Sequence, residues 1–195
     1  MLTDSSSVRK DVVSHSGAGR FGKIRMRTMS LYESSHSSGK ISLIELFSSN
    51  LEISFESDKT INDIAKYIVC GGWPENINIE EKKSIRSLLF YYDILINEDI
   101  KNIDGVKRNP HTVDSLLKSF SRNISTLSKY TTILEDMKNN SSGIDIKTLD
   151  DYINALEKLF VIESIEAWSP KIRSKYAIRN AEKKCWQTLL SLVFL

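Results

Sequence analysis

The residues best suited to phosphate chemistry form a glycine-rich stretch, Gly17-Ala18-Gly19-Arg20-Phe21-Gly22-Lys23. Its glycines have the spacing of a dinucleotide-binding fingerprint, and the stretch also comes close to a phosphate-binding loop. Such a loop needs a hydroxyl after its lysine to hold magnesium, and Ile24 occupies that position. Both motifs must also lead into a helix, whereas residues 23–29 alternate between polar and apolar types. We therefore expect a short strand over residues 23–29 and no nucleotide-binding loop.

Other groups that could do catalytic chemistry lack the required spacing. His15, His36 and His111 share neither a metal-ligand spacing nor the arrangement of a catalytic triad. Adjacent carboxylates such as Glu80-Glu81 and Asp150-Asp151 point in different directions on a helix, so we interpret them as solvated faces. The two cysteines have no paired spacing. We predict no metal site.

Charge is unevenly distributed, although the formal net charge is only +2. Residues 33–104 are predominantly acidic, and a basic cluster lies within residues 171–184. Lys171, Arg173 and Lys175 begin this cluster and are our predicted nucleic-acid-binding residues, because basic side chains on one surface supply sequence-independent affinity for phosphates. The alternative interpretation is a solvated, mildly basic surface.

The pattern of apolar residues predicts mostly helices after residue 60. Ile61, Ile64 and Ile68 have the spacing of a helix face, Thr60 can cap its start, and Gly71-Gly72 with the following proline should end it. A second helix should end near Asp99. Further helices are predicted from Pro110 after an Asn109 cap, over residues 130–137 and over residues 149–160, followed by a short β segment at residues 161–166.

The order of these elements predicts the fold class. Three helices followed by a β-hairpin is the order of a winged helix-turn-helix domain. With 41% hydrophobic and 27% charged residues, the chain has the composition of an ordinary globular protein. It has no secretion signal and no apolar run near the roughly 18 residues that span a bilayer. We expect a mainly α (α+β), cytoplasmic protein with no membrane partner.

Several motifs, in the same order, resemble a family of prokaryotic predicted AAA-type (P-loop) ATPases that carry a C-terminal domain of unknown function. The motifs are His15-Ser16-Gly17-Ala18-Gly19-Arg20-Phe21, Arg25-Met26-Arg27-Thr28-Met29-Ser30-Leu31-Tyr32-Glu33-Ser34, Gly71-Gly72-Trp73-Pro74-Glu75, Asp104-Gly105-Val106-Lys107-Arg108 and Ala167-Trp168-Ser169-Pro170. The resemblance covers about residues 2–182. It implies a remnant of the AAA ATPase core, with the sensor and last strand, at residues 1–34. A helical lid at residues 35–105 and a winged-helix domain at residues 106–182 would follow.

The resemblance also implies roles for individual residues. Leu2-Thr3-Asp4-Ser5 resembles the turn in which a polar sensor faces the γ-phosphate, which implies catalytic roles for Thr3 and Ser5, although Asp4 replaces the family's glycine. Arg20 falls where an arginine could reach the γ-phosphate. Gly72, Trp73 and Pro74 are similar to a glycine-any-proline lid motif that packs near adenine. The implied cofactors of the parent protein are ATP and Mg.

The function that follows is that of a fragment. The phosphate loop and Walker B acidic pair of such ATPases would precede every motif found here, so we expect a missing N-terminal P-loop domain as partner. We expect this chain alone to hydrolyse no ATP and to bind none tightly. The alternative is a winged-helix nucleic-acid-binding or protein-interaction module, and a third interpretation is an inactive truncated product. Residues 183–195 depart from the family's pattern, and we interpret them as an aberrant tail produced by a frameshift near Lys184.

Overall fold

The computed structural model describes residues 24, 26–47, 57–123, 126, 129–139, 143–165 and 183–186. Over these residues the protein is mainly helical, which confirms the predicted α character. The helices are α1 (Leu43–Phe47), α2 (Ile61–Cys70), α3 (Glu81–Ile94), α4 (Ile100–Asn102), α5 (Pro110–Asn123), α6 (Tyr130–Asn139) and α7 (Ile146–Lys158). Two strands follow, β1 (Ile162–Ile165) and β2 (Lys183–Trp186).

Helix α2 begins and ends where the sequence predicts. The Thr60 hydroxyl accepts a hydrogen bond from the Asp63 amide at 3.2 Å, and Asp63 Oδ2 accepts one from the Thr60 amide at 2.8 Å. This reciprocal pair is a capping box, which satisfies amides at the first turn that have no partner within the helix. At the other end Gly71 takes φ 65°, a left-handed conformation that a glycine adopts without strain.

Helix α3 continues into α4 through a π-helical turn, Leu95–Asp99. The predicted end near Asp99 therefore falls within this turn, and the helical path reaches Asn102. Leu95 and Ile96 in the π turn and Ile100 in α4 are buried. This part of the helical path consequently packs into the main core.

Helices α5 and α7 start at side-chain caps. Asn109 Oδ1 accepts a hydrogen bond from the His111 amide at 2.9 Å, which confirms the predicted cap at Asn109. Asp145 Oδ1 accepts one from the Thr148 amide at 2.7 Å at the start of α7. The predicted extension of this last helix to Phe160 is wrong. Helix α7 ends at Lys158, and Phe160 beyond it takes φ 57°.

A Schellman-type turn explains why α7 stops before Phe160. The Phe160 amide donates to the Glu157 carbonyl, and the Val161 amide donates to the Leu156 carbonyl, both at 3.0 Å. These are the two hydrogen bonds of that turn, and they place Phe160 at the left-handed position that glycine usually occupies. The apolar spacing at Phe160 is helical, but its side chain belongs to the turn.

One hydrophobic core lies in the C-terminal part of the described chain. All but two of the buried apolar residues described lie between Leu95 and Ile162, and they form one cluster. The cluster joins α5, α6, α7 and β1 with the π turn and α4, and so extends across the predicted lid boundary at residue 105. Its largest fully buried members are Phe120, Leu95, Ile100, Leu116, Ile133, Met137, Leu149, Ile153, Leu156, Ile162 and Val113.

Strands β1 and β2 pair in antiparallel register, with Ile162 opposite Trp186 and Ile165 opposite Lys183. Residues 166–182 connect the two strands. Strand β2 lies at the beginning of the segment that we interpreted as an aberrant tail. Residues 187–195 of that segment lie outside the described residues, so the frameshift remains a prediction.

The predicted strand over residues 23–29 is wrong for the part of it that the structure describes. Residues 24 and 26–29 have no regular secondary structure. The Met29 amide instead donates to the Gly72 carbonyl at 2.7 Å, so this backbone docks on the turn after α2. Alternation of polar and apolar residues is therefore not sufficient for a strand here, because a ladder also needs a partner strand.

No described helix combines the length and the apolar composition needed to cross a membrane.

Candidate functional site

The predicted cofactor-binding residues Gly72, Trp73 and Pro74 form a tight turn at the end of α2. Pro74 begins a 3-10 turn, Pro74–Asn76, where its fixed φ is favourable. The buried Asn76 side chain donates from Nδ2 to the Cys70 carbonyl at 2.9 Å. This bond ties the 3-10 turn back to the last residue of α2, so Trp73 is held between two anchored ends.

Gly72 allows the chain to approach the turn closely. A Cβ atom at this position would lie 2.3 Å from the Met29 carbonyl oxygen and 3.1 Å from Thr28 Cβ. The first distance is far below van der Waals contact, so a residue with a side chain would displace the Met29 backbone. The turn therefore requires glycine for packing, apart from any role in ligand binding.

Trp73 of the turn forms an aromatic pair, because its ring meets the Tyr91 ring edge-on, with centroids 5.2 Å apart. The rings of His36 and Tyr67 form a separate stacked pair, with centroids 4.0 Å apart. Burial, with a smaller contribution from the charge of Asp99, raises the pKa of Tyr91 to about 12. Neutral, partly buried rings are the groups on which a planar heterocycle can stack. The turn can thus contribute ring faces to a base-binding site.

Asp99, whose charge acts on Tyr91, also has a shifted pKa. Burial, and then the charge of Glu98, raises the pKa of Asp99 above its ordinary value. Asp99 lies in the π turn, and such turns occur frequently at functional sites. Among the described residues, no group of histidine, cysteine, aspartate and glutamate side chains has an arrangement that could hold a metal ion.

The other predicted site residues lie outside the described residues. These are the sensor candidates Thr3 and Ser5, the arginine candidate Arg20, and the nucleic-acid candidates Lys171, Arg173 and Lys175. Their roles remain predictions. In the sequence, Lys171, Arg173 and Lys175 lie between the residues of β1 and those of β2.

Helix α7, which would be the recognition helix of such a domain, carries a small excess of exposed negative charge. Asp150 and Asp151 are exposed on it, and the exposed Asp145 caps its start. Lys147 and Lys158 are its exposed cations. Hydrogen bonds from Thr148 hold the pKa of Asp145 below its ordinary value, so this cap carries negative charge. This balance of charges does not favour contact with a phosphate backbone.

The sequence patterns do not indicate that Arg108 is buried and paired. Its guanidinium is buried, and its two terminal nitrogens each donate to one carboxylate oxygen of Asp104 at 2.7 Å. These hydrogen bonds hold the pKa of Asp104 below its ordinary value. The spacing of four residues between the two charges was a usable signal, but it also occurs in exposed pairs of little consequence.

Comparison with known proteins identifies a family. A model of the Domain of unknown function (DUF8612) matches residues 61–186, which is well over half of the chain. No curated protein and no solved structure matches the chain. The matched region begins with the first residue of α2 and ends with the last residue of β2. The chain therefore belongs to the DUF8612 family.

Proposed function

We propose that this chain is a protein-interaction part of an AAA-type ATPase. Residues 35–105 act as the helical lid that packs on a nucleotide-binding P-loop domain supplied by other sequence. Helices α5–α7 with β1 and β2 act as a winged-helix module that moves with the lid. The chain alone hydrolyses no ATP.

The distribution of exposed apolar side chains carries this proposal. All but three of the large apolar side chains found exposed in the described residues lie before Leu95. Phe47 on α1 and Ile61 on α2 are each 88% exposed, and Phe90 on α3 is 64% exposed. Exposed apolar side chains in this number favour an interaction site, because covering apolar surface releases about 25 cal/mol per Å². The C-terminal part has its own core and needs no such cover.

The turn at Gly72, Trp73 and Pro74 supports the same proposal. Its identified neighbours are the Tyr91 ring and the Met29 backbone, and an aromatic ring is a group on which a purine can stack. A triphosphate needs backbone amides of a phosphate loop, a lysine and magnesium. Those groups would come from the P-loop domain, and the lid turn would complete the base-binding side.

The test is isothermal titration calorimetry, in which the isolated P-loop domain of an ATPase from the resembled family is titrated into this chain. We expect a one-to-one complex, and we expect Ile61→Ser combined with Phe90→Ser to weaken it by about tenfold or more. Ile146→Ser is the matched control, because Ile146 is a 55% exposed apolar residue on α7. A complex equally strong in the parent, the double variant and the control would contradict the proposal.

A fluorescent ATP analogue provides a second measurement on the chain alone. At most weak binding is expected, since no phosphate-binding loop is proposed here. Tight, magnesium-dependent binding in the absence of the P-loop domain would show that the chain has a nucleotide site of its own.

Nucleic-acid binding is the alternative function, and the place of Lys171, Arg173 and Lys175 between β1 and β2 favours it. It predicts duplex binding that weakens steeply with salt and weakens further in Lys171→Ala with Arg173→Ala. The small excess of negative charge on α7 favours the protein-interaction function instead, because a recognition helix in the major groove must lie beside phosphates.

A further inference from the structure

The helical path through α3 and α4 and the helices α5–α7 share a core at the point where they are joined. Leu95 is 1% exposed and Ile100 is 0% exposed, and both belong to the cluster that contains Val113 and Leu116 of α5. The loop of residues 103–109 therefore does not connect two separately packed bodies. It connects two helices that already bury their side chains against each other.

The Arg108 side chain connects the end of this loop to Asp104 near its beginning and to α4. Besides its two bonds to Asp104, Nη1 of Arg108 donates to the carbonyl of Ile100 at 3.1 Å, at the start of the short helix α4. The Arg108 side chain is 5% exposed and that of Asp104 is 25% exposed. Removing one member of a buried charged pair leaves the other without its partner, so this geometry resists opening.

Tyr152 of α7 and Tyr92 of α3 add hydrogen bonds around this loop. The guanidinium of Arg108 lies over the Tyr152 ring, 5.8 Å from its centroid, and the Tyr152 hydroxyl accepts a hydrogen bond from the Asn109 amide at 3.1 Å. The Tyr92 hydroxyl donates to Asp114 Oδ1 of α5 at 2.7 Å. The loop is thus bound to α7, and α3 is bound to α5.

We infer that residues 103–109 form a rigid joint, so that α3, α4 and α5–α7 move as one body. The three polar connections and the shared core act at different points, and a hinge at this loop would have to break all of them. Any displacement imposed on α3 by a partner is then carried to α5–α7 undiminished. The proposed function already has the winged-helix module move with the lid, and the rigid joint names the contacts that would couple them, whatever the partner is.

The test is a distance measurement between spin labels at the exposed positions Lys82 and Lys147, in full-length protein whose Cys70 and Cys185 are replaced by serine. We expect one narrow distance peak in this parent. In Arg108→Gln the shared core and the two tyrosine hydrogen bonds remain, so we expect the peak to broaden but to keep its position. Lys107→Gln is the matched control, since it removes an exposed charge from the same loop. A broad distribution in the parent, or a broadening in Lys107→Gln equal to that in Arg108→Gln, would overturn the inference.

A milder variant keeps the test valid if Arg108→Gln does not fold. Tyr152→Phe retains the ring beside Arg108 and removes only the hydroxyl that binds the Asn109 amide. We expect amide hydrogen exchange at Asn109 to accelerate by about tenfold, while exchange at Val113 changes little. If Asn109 exchanges in the parent as fast as in an unfolded peptide, the joint is flexible and the inference fails.

Discussion

Arg27 and Glu163 are separated by 136 positions in the chain, and Nε of Arg27 donates to Oε2 of Glu163 at 3.1 Å. Nη2 of Arg27 also donates to Oε1 of Glu163, so the pair is bidentate. The Glu163 hydrogen bond, and then its charge, raises the pKa of Arg27. The contact joins the irregular segment at residues 26–30 to strand β1, and the neighbouring Met29 joins the same segment to the turn after α2.

Breaking this pair should release the segment without unfolding the protein. The Arg27 side chain is 61% exposed, and exposed ion pairs contribute little to global stability. We expect Arg27→Ala to leave the thermal midpoint unchanged and to speed proteolysis within residues 26–30. Lys40→Ala is the control for loss of an exposed charge. Equal proteolysis in the two variants would show that the ion pair does not anchor the segment.

Gly72→Ala should separate Met29 from the turn. The new methyl group would overlap the Met29 carbonyl oxygen, so the hydrogen bond from the Met29 amide must break or lengthen. We expect faster amide exchange at Met29 and a loss of about 1–2 kcal/mol in the free energy of unfolding. Gly143→Ala is the matched control, because its nearest neighbour would be Lys138 Cγ at 3.8 Å. Identical behaviour of both variants would contradict the close approach.

Asp104 should make the stability depend on pH in acid. Arg108 lowers the pKa of Asp104 below the ordinary value of 3.8. The ionised Asp104 therefore adds its full contribution to the free energy of unfolding above that value. It is lost as the pH falls through the lower, folded-state pKa. Urea midpoints measured from neutral pH to about pH 2 should fall less steeply in Asp104→Asn than in the parent. An equally steep fall in Asp104→Asn and in the parent would contradict this prediction.

Tyr91 and Tyr92 should make the protein unstable in alkali. Burial raises the pKa of Tyr91 from 10.0 to about 12, and burial together with the Asp114 hydrogen bond raises the pKa of Tyr92 further. Because the folded-state pKa is raised, this stability is present below pH 10.0 and is lost as the pH rises towards the folded-state values.

The measurement is phenolate absorbance during an alkaline titration. Tyr91 and Tyr92 should ionise only in a late phase, which coincides with unfolding. Tyr91→Phe with Tyr92→Phe should remove that phase. A single early phase in the parent would contradict the burial of these hydroxyls.

Leu156→Ala should destabilise the core strongly. Leu156 is fully buried on α7, and such truncations leave a cavity and cost about 3 kcal/mol. Ile146→Ala, at an exposed position on the same helix, should change the free energy of unfolding by less than about 0.5 kcal/mol. Urea denaturation measures both. Similar costs for the two variants would mean that the α5–α7 core is not where the stability lies.

The helices could be predicted because their signals are local. Thr60 and Asn109 cap helices through amides two or three residues away, and Gly71 ends α2 through its own φ angle. The failure at Phe160 has the same cause, since apolar spacing cannot distinguish the last helical turn from the Schellman turn that follows it. The strand predicted over residues 23–29 is wrong where it can be checked, because a strand depends on a partner elsewhere in the chain.

The candidate site was predictable only in part. A resemblance identified Gly72, Trp73 and Pro74, but nothing near them in the sequence indicates that Met29 docks on Gly72 or that Tyr91 meets Trp73. Arg108 is buried because Tyr152, more than 40 positions later, covers it. Burial of a charge is a tertiary property, whereas the spacing of Asp104 and Arg108 is a local one.

The amino-acid sequence by itself determined the mainly helical character of this protein and most of its helix ends, because caps, breakers and apolar spacing act within a few residues. Only the tertiary structure decided that one core crosses the boundary at residue 105, that Arg27 meets Glu163, and that the apolar faces before Leu95 are exposed. Each of these depends on which distant segments pack together, and packing is decided by the whole chain.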